Sequence, residues 1–254
     1  MRNVLIAGAT QGTGRELAAA YLRDGANVVV TGREAKRAET VAAELTAEAT
    51  AAVAGQPPAV TTGDDPPLPG VATGLALDLS RPDTVAAALA PVGQVDRLVL
   101  VGMVRDRNTL AGFDTAAASQ LAVTKVVGYT AVIAALAERL APGASVLLFG
   151  GGSKDYPYPG STTLTAANAA VSGMVRTLST ELAPVRVNAI HPGPIGDSPF
   201  WHGKAELADT LAKFRAQTLT GELGDMADVV DACRFLLENR QANGIDLPLD
   251  GGHP

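Results

Sequence analysis

The chain has few of the residues that stabilise secreted or membrane proteins. Its 254 residues include a single cysteine, Cys233, so no internal disulfide can form, and this usage fits a reducing compartment. Cys233 falls in a helical pattern and is expected in the core. No apolar run approaches the ~18 residues that a membrane helix needs, and no secretory apolar segment precedes Gly8. We therefore expect a cytoplasmic protein without a membrane partner.

Positive charge and aromatic side chains are also scarce. The net charge is −6, which argues against nucleic acid or an anionic membrane as a partner. No His/Cys/Asp spacing typical of a metal site occurs, and there is no Gly-x-Ser-x-Gly nucleophile motif. The whole chain is 47% hydrophobic and 18% charged, the composition of a globular protein. The length fits one α/β domain over residues 1–254.

The most informative segment is residues 3–33. An apolar strand at 4–7 leads into a turn with Gly8, Gly12 and Gly14, followed by a helix to about residue 23 and a second strand at 28–30. In such a β-α-β unit, glycines permit the tight turn and let a pyrophosphate approach the backbone at a helix N-terminus, where amide groups and the helix dipole favour an anion. The unit predicts a dinucleotide site, and the alternative is a tight turn without a ligand.

Strand-like and helical runs alternate along the rest of the chain. Helices are predicted at about 34–54, 82–89, 115–140, 163–182, 204–219 and 226–239, and strands at 74–78, 97–101, 145–149, 186–190 and 245–249. Continuous apolar strands are typical of a parallel sheet that is buried on both faces. The alternation predicts right-handed crossovers and a doubly wound, three-layer α/β/α fold without an internal domain boundary.

One segment, residues 55–70, differs in composition from the alternating strands and helices. It is rich in Pro, Gly, Thr and Asp and is incompatible with a helix or a central strand. We expect a flexible surface loop, and the simplest interpretation is a tolerated insertion.

With these pieces, the chain resembles the short-chain dehydrogenase/reductase family over nearly its whole length. The resemblance is carried by AGATQGTG at 7–14, LDLS at 77–80, ELAPVRVNAIHPGPI at 181–195 and LPLDGGHP at 247–254. It implies a Rossmann-type fold, a nicotinamide cofactor, a small-molecule substrate and a homodimer or homotetramer. The residues that it places at the cofactor are Gly8, Thr10, Gln11, Gly12, Thr13, Gly14, Arg33, Asp78, Leu79, Val101, Gly102, Pro192, Gly193, Ile195 and Ser198.

The residue after the second strand indicates which cofactor is preferred. NAD specificity in such folds normally needs a carboxylate there, for the ribose 2′-OH. This strand instead ends Thr31-Gly32-Arg33. An arginine can form a bidentate contact with a 2′-phosphate and stack on adenine, so we expect NADP(H), with NAD(H) possible. The alternative is that Arg33 only begins a surface helix.

The resemblance fails at the family's catalytic Ser and Tyr-x3-Lys. The matching positions hold Gly151 for Ser, Leu164 for Tyr and Asn168 for Lys. The family's Asn-Asn-Ala-Gly segment is replaced by residues 100–103, Leu-Val-Gly-Met. Leucine has no proton to give, and a positioned acid is typically worth about 10²–10⁴ in rate. The standard mechanism cannot operate with these residues.

Two groups of residues are candidates to compensate. Lys125 lies where the family usually has Asn, so Lys125 and Asn168 look exchanged, and the ammonium could reach the ribose or a relay water from the opposite wall. Loop 150–161 carries Ser153, Tyr156 and Tyr158, which could replace the lost hydroxyl and phenol. The alternatives are a solvated Lys125 and tyrosines that pack on the rim of the loop.

Residues 197–220 match the family's substrate lid. Ser198 replaces the threonine that holds the carboxamide, and Phe200 with Trp201 favours an apolar or planar substrate, with core packing of Trp201 as the alternative. His191 follows a buried strand and is expected to be structural.

The expected function is an atypical NADP(H)-dependent oxidoreductase acting on a small carbonyl or unsaturated compound. The alternative is a non-redox catalyst, or a cofactor-binding partner or sensor, that keeps the fold without the reduction chemistry.

Overall fold

A seven-stranded parallel sheet organises the molecule, seen in a computed structural model that describes residues 1–54, 68–104, 106 and 108–252. The strand order is β3-β2-β1-β4-β5-β6-β7. The strands are β1 (Asn3–Ala7), β2 (Asn27–Gly32), β3 (Ala72–Ala76), β4 (Val95–Leu100), β5 (Leu140–Phe149), β6 (Arg186–Pro192) and β7 (Asp246–Leu249). All neighbouring pairs are parallel, which confirms the predicted doubly wound fold.

Helices cover both faces of the sheet and make the predicted three layers. They are α1 (Gly12–Arg23), α2 (Ala35–Ala54), α3 (Pro82–Ala88), α4 (Thr115–Ala122), α5 (Tyr129–Leu136), α6 (Thr162–Glu181), α7 (Ala208–Gln217) and α8 (Met226–Glu238). One buried apolar cluster lies between the sheet and α1, α2 and α8, and the other lies between the sheet and α3, α5 and α6. Cys233 is fully buried in the first cluster.

The long helix predicted at 115–140 is interrupted. Residues Val123–Gly128 form a π-helical segment between α4 and α5, and Lys125 lies in it. Single π-helical turns often occur at functional sites, because they redirect the side chains of a helix locally. At 115–139 the chain is long and apolar enough to cross a membrane, a test that a core helix of a soluble protein also passes. Here it packs against α3 and α6.

The order of the strands reverses between β1 and β4. Ligands of open α/β sheets bind at such a switch point, beyond the carboxyl ends of the strands. The glycine turn after β1 and the loops after β4 and β5 meet at this edge. Of the predicted flexible segment 55–70, residues 55–67 lie outside the described residues. Gly70 donates from its backbone to the Leu22 carbonyl at 2.9 Å.

Candidate active site

The glycine turn is built so that side chains are excluded from it. Gly8 has a φ of +99°, and a Cβ on Gly8 would lie 2.6 Å from the backbone of Gly102. A Cβ on Gly14 would collide with the Gly8 carbonyl oxygen. Within the described part of the chain, no side chain caps the first turn of α1, which begins at Gly12. The turn therefore leaves helix N-terminal amides available to a diphosphate, and a nicotinamide dinucleotide fits this cradle.

Two arginines follow β2, near the place where the adenosine end of such a dinucleotide would lie. Arg33 is exposed just beyond β2. Arg37, one helical turn further along in α2, donates from Nη2 to Gln11 Oε1 at 2.9 Å. Sequence reasoning did not identify Arg37, which lies in the first turn of α2, whereas Arg33 lies in the bend before that helix. Asp78 accepts two hydrogen bonds from Ser80, from the backbone and from the hydroxyl, which fix its carboxylate.

The loop after β4 closes the other side of the glycine turn. The backbone amides of Val101 and Gly102 donate to the Ala7 carbonyl at 3.0 and 2.8 Å. A Cβ on Gly102 would lie 2.8 Å from the buried Leu79 side chain. Tyr129 donates its hydroxyl to the Gly102 carbonyl at 3.1 Å, so α5 supports this loop from below. Val101 is half-buried beside it.

The segment after β6 carries the remaining predicted cofactor residues. Pro192 ends β6, and Gly193 donates to the Leu249 carbonyl at 2.9 Å. Trp201 donates its indole N–H to the Ile195 carbonyl at 2.6 Å. Ser198 accepts from the Phe200 amide at 3.4 Å and begins a short 3-10 turn.

Two aromatic rings begin the segment predicted as a lid. Phe200 and Trp201 stack edge to face, with ring centroids 4.7 Å apart, and Lys204 Nζ lies 3.8 Å from the centre of the Phe200 ring. Trp201 is half-buried, and its indole N–H is hydrogen-bonded to the Ile195 carbonyl, so the residue lies outside the main core. Beneath α7, a pocket of about 290 Å³ is lined by Gly196, Ala208, Leu211, Ala212, Arg215 and Leu223.

Asn168 and Ser153 lie together at the end of β5. Asn168 is 3% exposed, and its Nδ2 donates to Ser153 Oγ at 2.9 Å. A Cβ on Gly151 would lie 2.7 Å from Asn168 Nδ2, so the amide occupies the space of the serine that the family has at 151. Asn168 Oδ1 is buried and has no hydrogen-bond partner among the described residues. The hydroxyl beside the Asn168 amide is that of Ser153, two residues after Gly151, and its use in place of the family's serine stays a prediction.

Lys125 approaches the same loop from the π-helical segment. Its side chain is fully buried, and Nζ donates to the Gly150 carbonyl at 3.3 Å. The ammonium also lies 5.8 Å from the centre of the Tyr129 ring. The interpretation of Lys125 as a solvated surface residue is wrong, because none of its side chain is exposed. The ammonium instead lies beside the loop that holds Ser153.

The two candidate tyrosines differ in their surroundings. Tyr156 is half-buried, whereas Tyr158 is 52% exposed. The backbone amide and carbonyl of Tyr158 pair with the Ser161 hydroxyl, which places this residue in a tight turn at the rim. Tyr156 is therefore the more enclosed of the two tyrosines. Leu164, at the family's tyrosine position, lies in the first turn of α6.

A buried histidine completes the loop. His191 accepts from the Gly151 amide at Nδ1, 3.2 Å away, and its Nε2 lies 2.5 Å from Asp246 Oδ1. Burial lowers the pKa of His191, although the Asp246 carboxylate beside it acts to raise it. Sequence reasoning did not find this pair, because its members lie on different strands. In the described ranges, no group of three or more His, Cys, Asp or Glu side chains could hold a metal ion.

The fold and the glycine turn define a dinucleotide-binding protein of the Rossmann type. Residues 69–253 match the family model described as Enoyl-(Acyl carrier protein) reductase, and residues 2–64 match the one described as short chain dehydrogenase. The chain belongs to the short-chain dehydrogenase/reductase family. Relatives and solved structures that the chain resembles are named as dehydrogenases or reductases, which are oxidoreductases.

Individual relatives resemble the chain at moderate identity. 2-(S)-hydroxypropyl-CoM dehydrogenase 3 of Xanthobacter autotrophicus is 28% identical over 98% of this chain and 95% of its own. Short-chain dehydrogenase/reductase ATR9 of Stachybotrys chlorohalonatus is 34% identical, over only 38% of each chain. A solved short chain dehydrogenase of Burkholderia cenocepacia in complex with NADP has a TM-score of 0.81 at 24% identity, covering 99% of this chain and 97% of its own, which shows the shared fold.

Proposed function

We propose that the protein is an NADP(H)-dependent oxidoreductase that acts on a small carbonyl or unsaturated substrate with a rearranged active site. The observation that carries the proposal is the hydrogen bond from Asn168 to Ser153 at the end of β5. It joins the residue at the family's lysine position to a hydroxyl two residues beyond the family's serine position. The relative from Xanthobacter, whose name describes a dehydrogenase of a 2-hydroxypropyl compound, supports a small secondary alcohol or its ketone as substrate.

Ser153 is the proposed contact to the substrate oxygen. Its Oγ accepts from Asn168, which orients the hydroxyl and leaves its own proton to be donated. A donor fixed in this way stabilises negative charge as it develops on a carbonyl oxygen. Among the described residues, Thr165 and Asn168 of α6 hold the loop here, because Thr165 donates to the Ser153 carbonyl at 3.0 Å.

The rest of the reaction is divided between the cofactor and four side chains. When bound, the nicotinamide would supply or accept the hydride. The orphaned Asn168 Oδ1 is an acceptor suited to a ribose hydroxyl. Tyr156, or a water held near the Lys125 ammonium, delivers the proton to the substrate oxygen as the carbon gains its hydride. Tyr158, at the exposed rim, serves as a substrate contact.

The preference for NADP(H) is proposed from Arg33. Its guanidinium can pair with a 2′-phosphate. Arg37, in the first turn of the following helix, donates to Gln11 of the glycine turn. Replacing Arg33 with glutamine should weaken NADPH binding by about tenfold or more and leave NADH binding within about twofold, since a charge-assisted pair is worth about 1.5–3 kcal/mol. Fluorescence titration of both cofactors measures this. Equal losses for NADPH and NADH would contradict the assignment, and Lys36→Gln, in the first turn of the following helix α2, is the control.

Lys125 can be tested in a similar way. Lys125→Met keeps the length and removes the charge, and it should lower kcat by about 10²-fold, the low end of the range for proton-transfer groups. Because the side chain is fully buried, the global fold of the methionine variant should be retained. Steady-state kinetics together with an NADPH titration distinguishes a role of Lys125 in proton transfer from a role in cofactor binding. Unchanged NADPH affinity together with unchanged kcat would exclude both roles. Lys213→Met, on the partly exposed α7, is the control.

A non-redox function is the second candidate, and one observation favours it. Leu164 stands where the family has its phenol, and the Asn168 amide fills the space of its serine. Titrating NADPH and NADH by fluorescence, then screening carbonyl and enone compounds for loss of NADPH absorbance, separates the two candidates. Binding without turnover would favour the second candidate, and no binding would exclude both.

The assembly and location proposed for the protein are a homodimer or homotetramer in the cytoplasm. The face formed by α4, α5 and α6 is the usual dimer face of the family. It exposes Val127 by 49% in the π-helical segment, an apolar side chain suited to such a contact. Residues 1–254 act as one dinucleotide-binding domain, with 197–220 as the lid.

A further inference from the structure

One peptide group in the active site is held from both sides. The Gly150 carbonyl accepts from Lys125 Nζ at 3.3 Å, and the Gly151 amide donates to His191 Nδ1 at 3.2 Å. The imidazole lies directly on Gly150, since a Cβ at 150 would collide with its ring. This peptide begins the loop that leads to Ser153. Its position therefore determines where the Ser153 hydroxyl lies.

The hydrogen bonds define the protonation state of His191. Nδ1 accepts from an amide N–H, so it carries a lone pair and the ring proton resides on Nε2. That proton faces Asp246 Oδ1 at 2.5 Å. The imidazole is fully buried, and it is neutral in this arrangement. Protonation would put a second N–H at Nδ1, pointing at the Gly151 N–H, and would break the contact.

Asp246 is itself fixed in place. Its Oδ2 accepts from the Ser172 hydroxyl at 2.8 Å, and Lys154 Nζ lies 3.6 Å from the same oxygen. Ser172 lies one helical turn after Asn168 in α6, so the same helix orients both Asp246 and Ser153. The charged groups that face His191 are thus Asp246 on β7, Lys154 in the loop and Lys125 in the π-helical segment.

We propose that His191, oriented by Asp246, is a positioning residue that holds the 150–153 loop so that Ser153 meets the substrate oxygen. The inference rests on the proposed role of Ser153. Family membership does not imply it, because the pair exists through the contact between β6 and β7 and through the glycines at 150 and 151. His191 itself does not contact the substrate and acts through the loop.

The direction of the pH dependence follows. Burial lowers the pKa of His191 below its ordinary value of about 6.5. The native state binds fewer protons there than the unfolded state, so the stabilisation is fully present above about pH 6.5 and is lost as the pH falls through the lowered pKa. Below that pKa the loop should lose its anchor, and kcat should fall with it.

Two variants test separately the hydrogen bonds that the two ring nitrogens of His191 make. In His191→Asn the side-chain oxygen takes roughly the place of Nδ1 and can still accept from Gly151. In His191→Gln the amide nitrogen takes roughly the place of Nε2 and keeps only the bond to Asp246. We expect kcat of His191→Gln to fall by about 10–10², as displacement of a catalytic group does, while His191→Asn stays within about threefold. His191→Asn should also lose the acid limb of the pH profile.

A purely structural role predicts a different pattern. Both variants would then lose thermal stability with little change in kcat, or would lose kcat equally, and either result would overturn the proposal. Adding His191→Gln to Ser153→Ala should produce almost no further loss, because the histidine acts through that serine. Full additivity of the two losses would also overturn it.

A measurement on the unmodified protein keeps this test separate from the proposed function. In ¹⁵N-labelled protein at neutral pH, NMR should show His191 Nδ1 unprotonated, and the Gly151 amide resonance should move as His191 titrates. This holds whether or not any substrate is turned over. If the Gly151 amide resonance does not shift as His191 titrates, the positioning role is refuted. If the resonance shifts but no screened compound is turned over, only the proposed reaction is refuted.

Discussion

Replacing Ser153 with alanine is expected to lower kcat by about 10²–10³ while NADPH binding stays unchanged. The magnitude is that of removing one fixed donor to a developing oxyanion. The change deletes a hydroxyl that accepts one hydrogen bond, from Asn168, and the bond from the Thr165 hydroxyl to the Ser153 main-chain carbonyl remains. The loop should therefore keep its course. Steady-state kinetics and a fluorescence titration of NADPH measure the two quantities separately.

Two further variants sharpen the Ser153 experiment. Ser153→Thr keeps the hydroxyl and should restore a large part of the rate. Ser179→Ala removes a comparable hydroxyl, bonded to the Arg176 carbonyl on the same helix α6, and should leave kcat unchanged. A Ser153→Ala enzyme with an undiminished kcat would show that the rearranged hydroxyl takes no part in the reaction.

Replacing Gly8 with alanine is expected to remove cofactor binding and to lower the free energy of unfolding by about 2–6 kcal/mol. Two causes contribute, each worth about 1–3 kcal/mol: a φ of +99°, which a residue with a Cβ rarely adopts, and a Cβ placed 2.6 Å from the backbone of Gly102. Relief of this clash must separate the turn after β1 from the loop after β4. The cradle for the diphosphate would open with it.

Urea denaturation and NADPH titration measure both effects of the Gly8 variant. Gly173→Ala is the matched control, since a Cβ there meets no atom within 4 Å. Because Gly173 lies within α6, the control should be equally stable or gain about 0.5–1 kcal/mol. If Gly8→Ala bound NADPH with native affinity, the turn after β1 would not be the site of the diphosphate.

The fold could be predicted because its strands and helices are marked by local patterns in the sequence. Each apolar strand is a continuous run, and each helix lies between breakers that the chain itself supplies. The structure shifts the ends by a few residues: β5, for example, begins at Leu140 rather than at 145, because the chain passes from a 3-10 turn at Ala137–Arg139 directly into the strand. The π-helical segment was missed because its residues are ordinary helix formers, and packing decides its hydrogen bonds.

The candidate site was only partly predictable. Lys125, Ser153 and Asn168 follow from counting along the family's motifs, and the structure brings all three to the 150–153 loop. The His191–Asp246 pair could not be found in this way. Its 55-residue separation is bridged only by the register of β6 on β7, where Ala189 lies opposite Asp246. Tertiary pairing of this kind leaves no periodic signal in the sequence.

The most direct test of a redox function in this rearranged site is to follow the hydride itself. NADPH carrying deuterium at C4, prepared separately in each stereochemical position, would be incubated with the protein and the carbonyl and enone compounds that it accepts. Mass spectrometry of the product then locates the label. One position, and not the other, is expected to deliver deuterium to the substrate carbon. Tight binding of NADPH with no deuterium transferred to any compound would contradict a redox function.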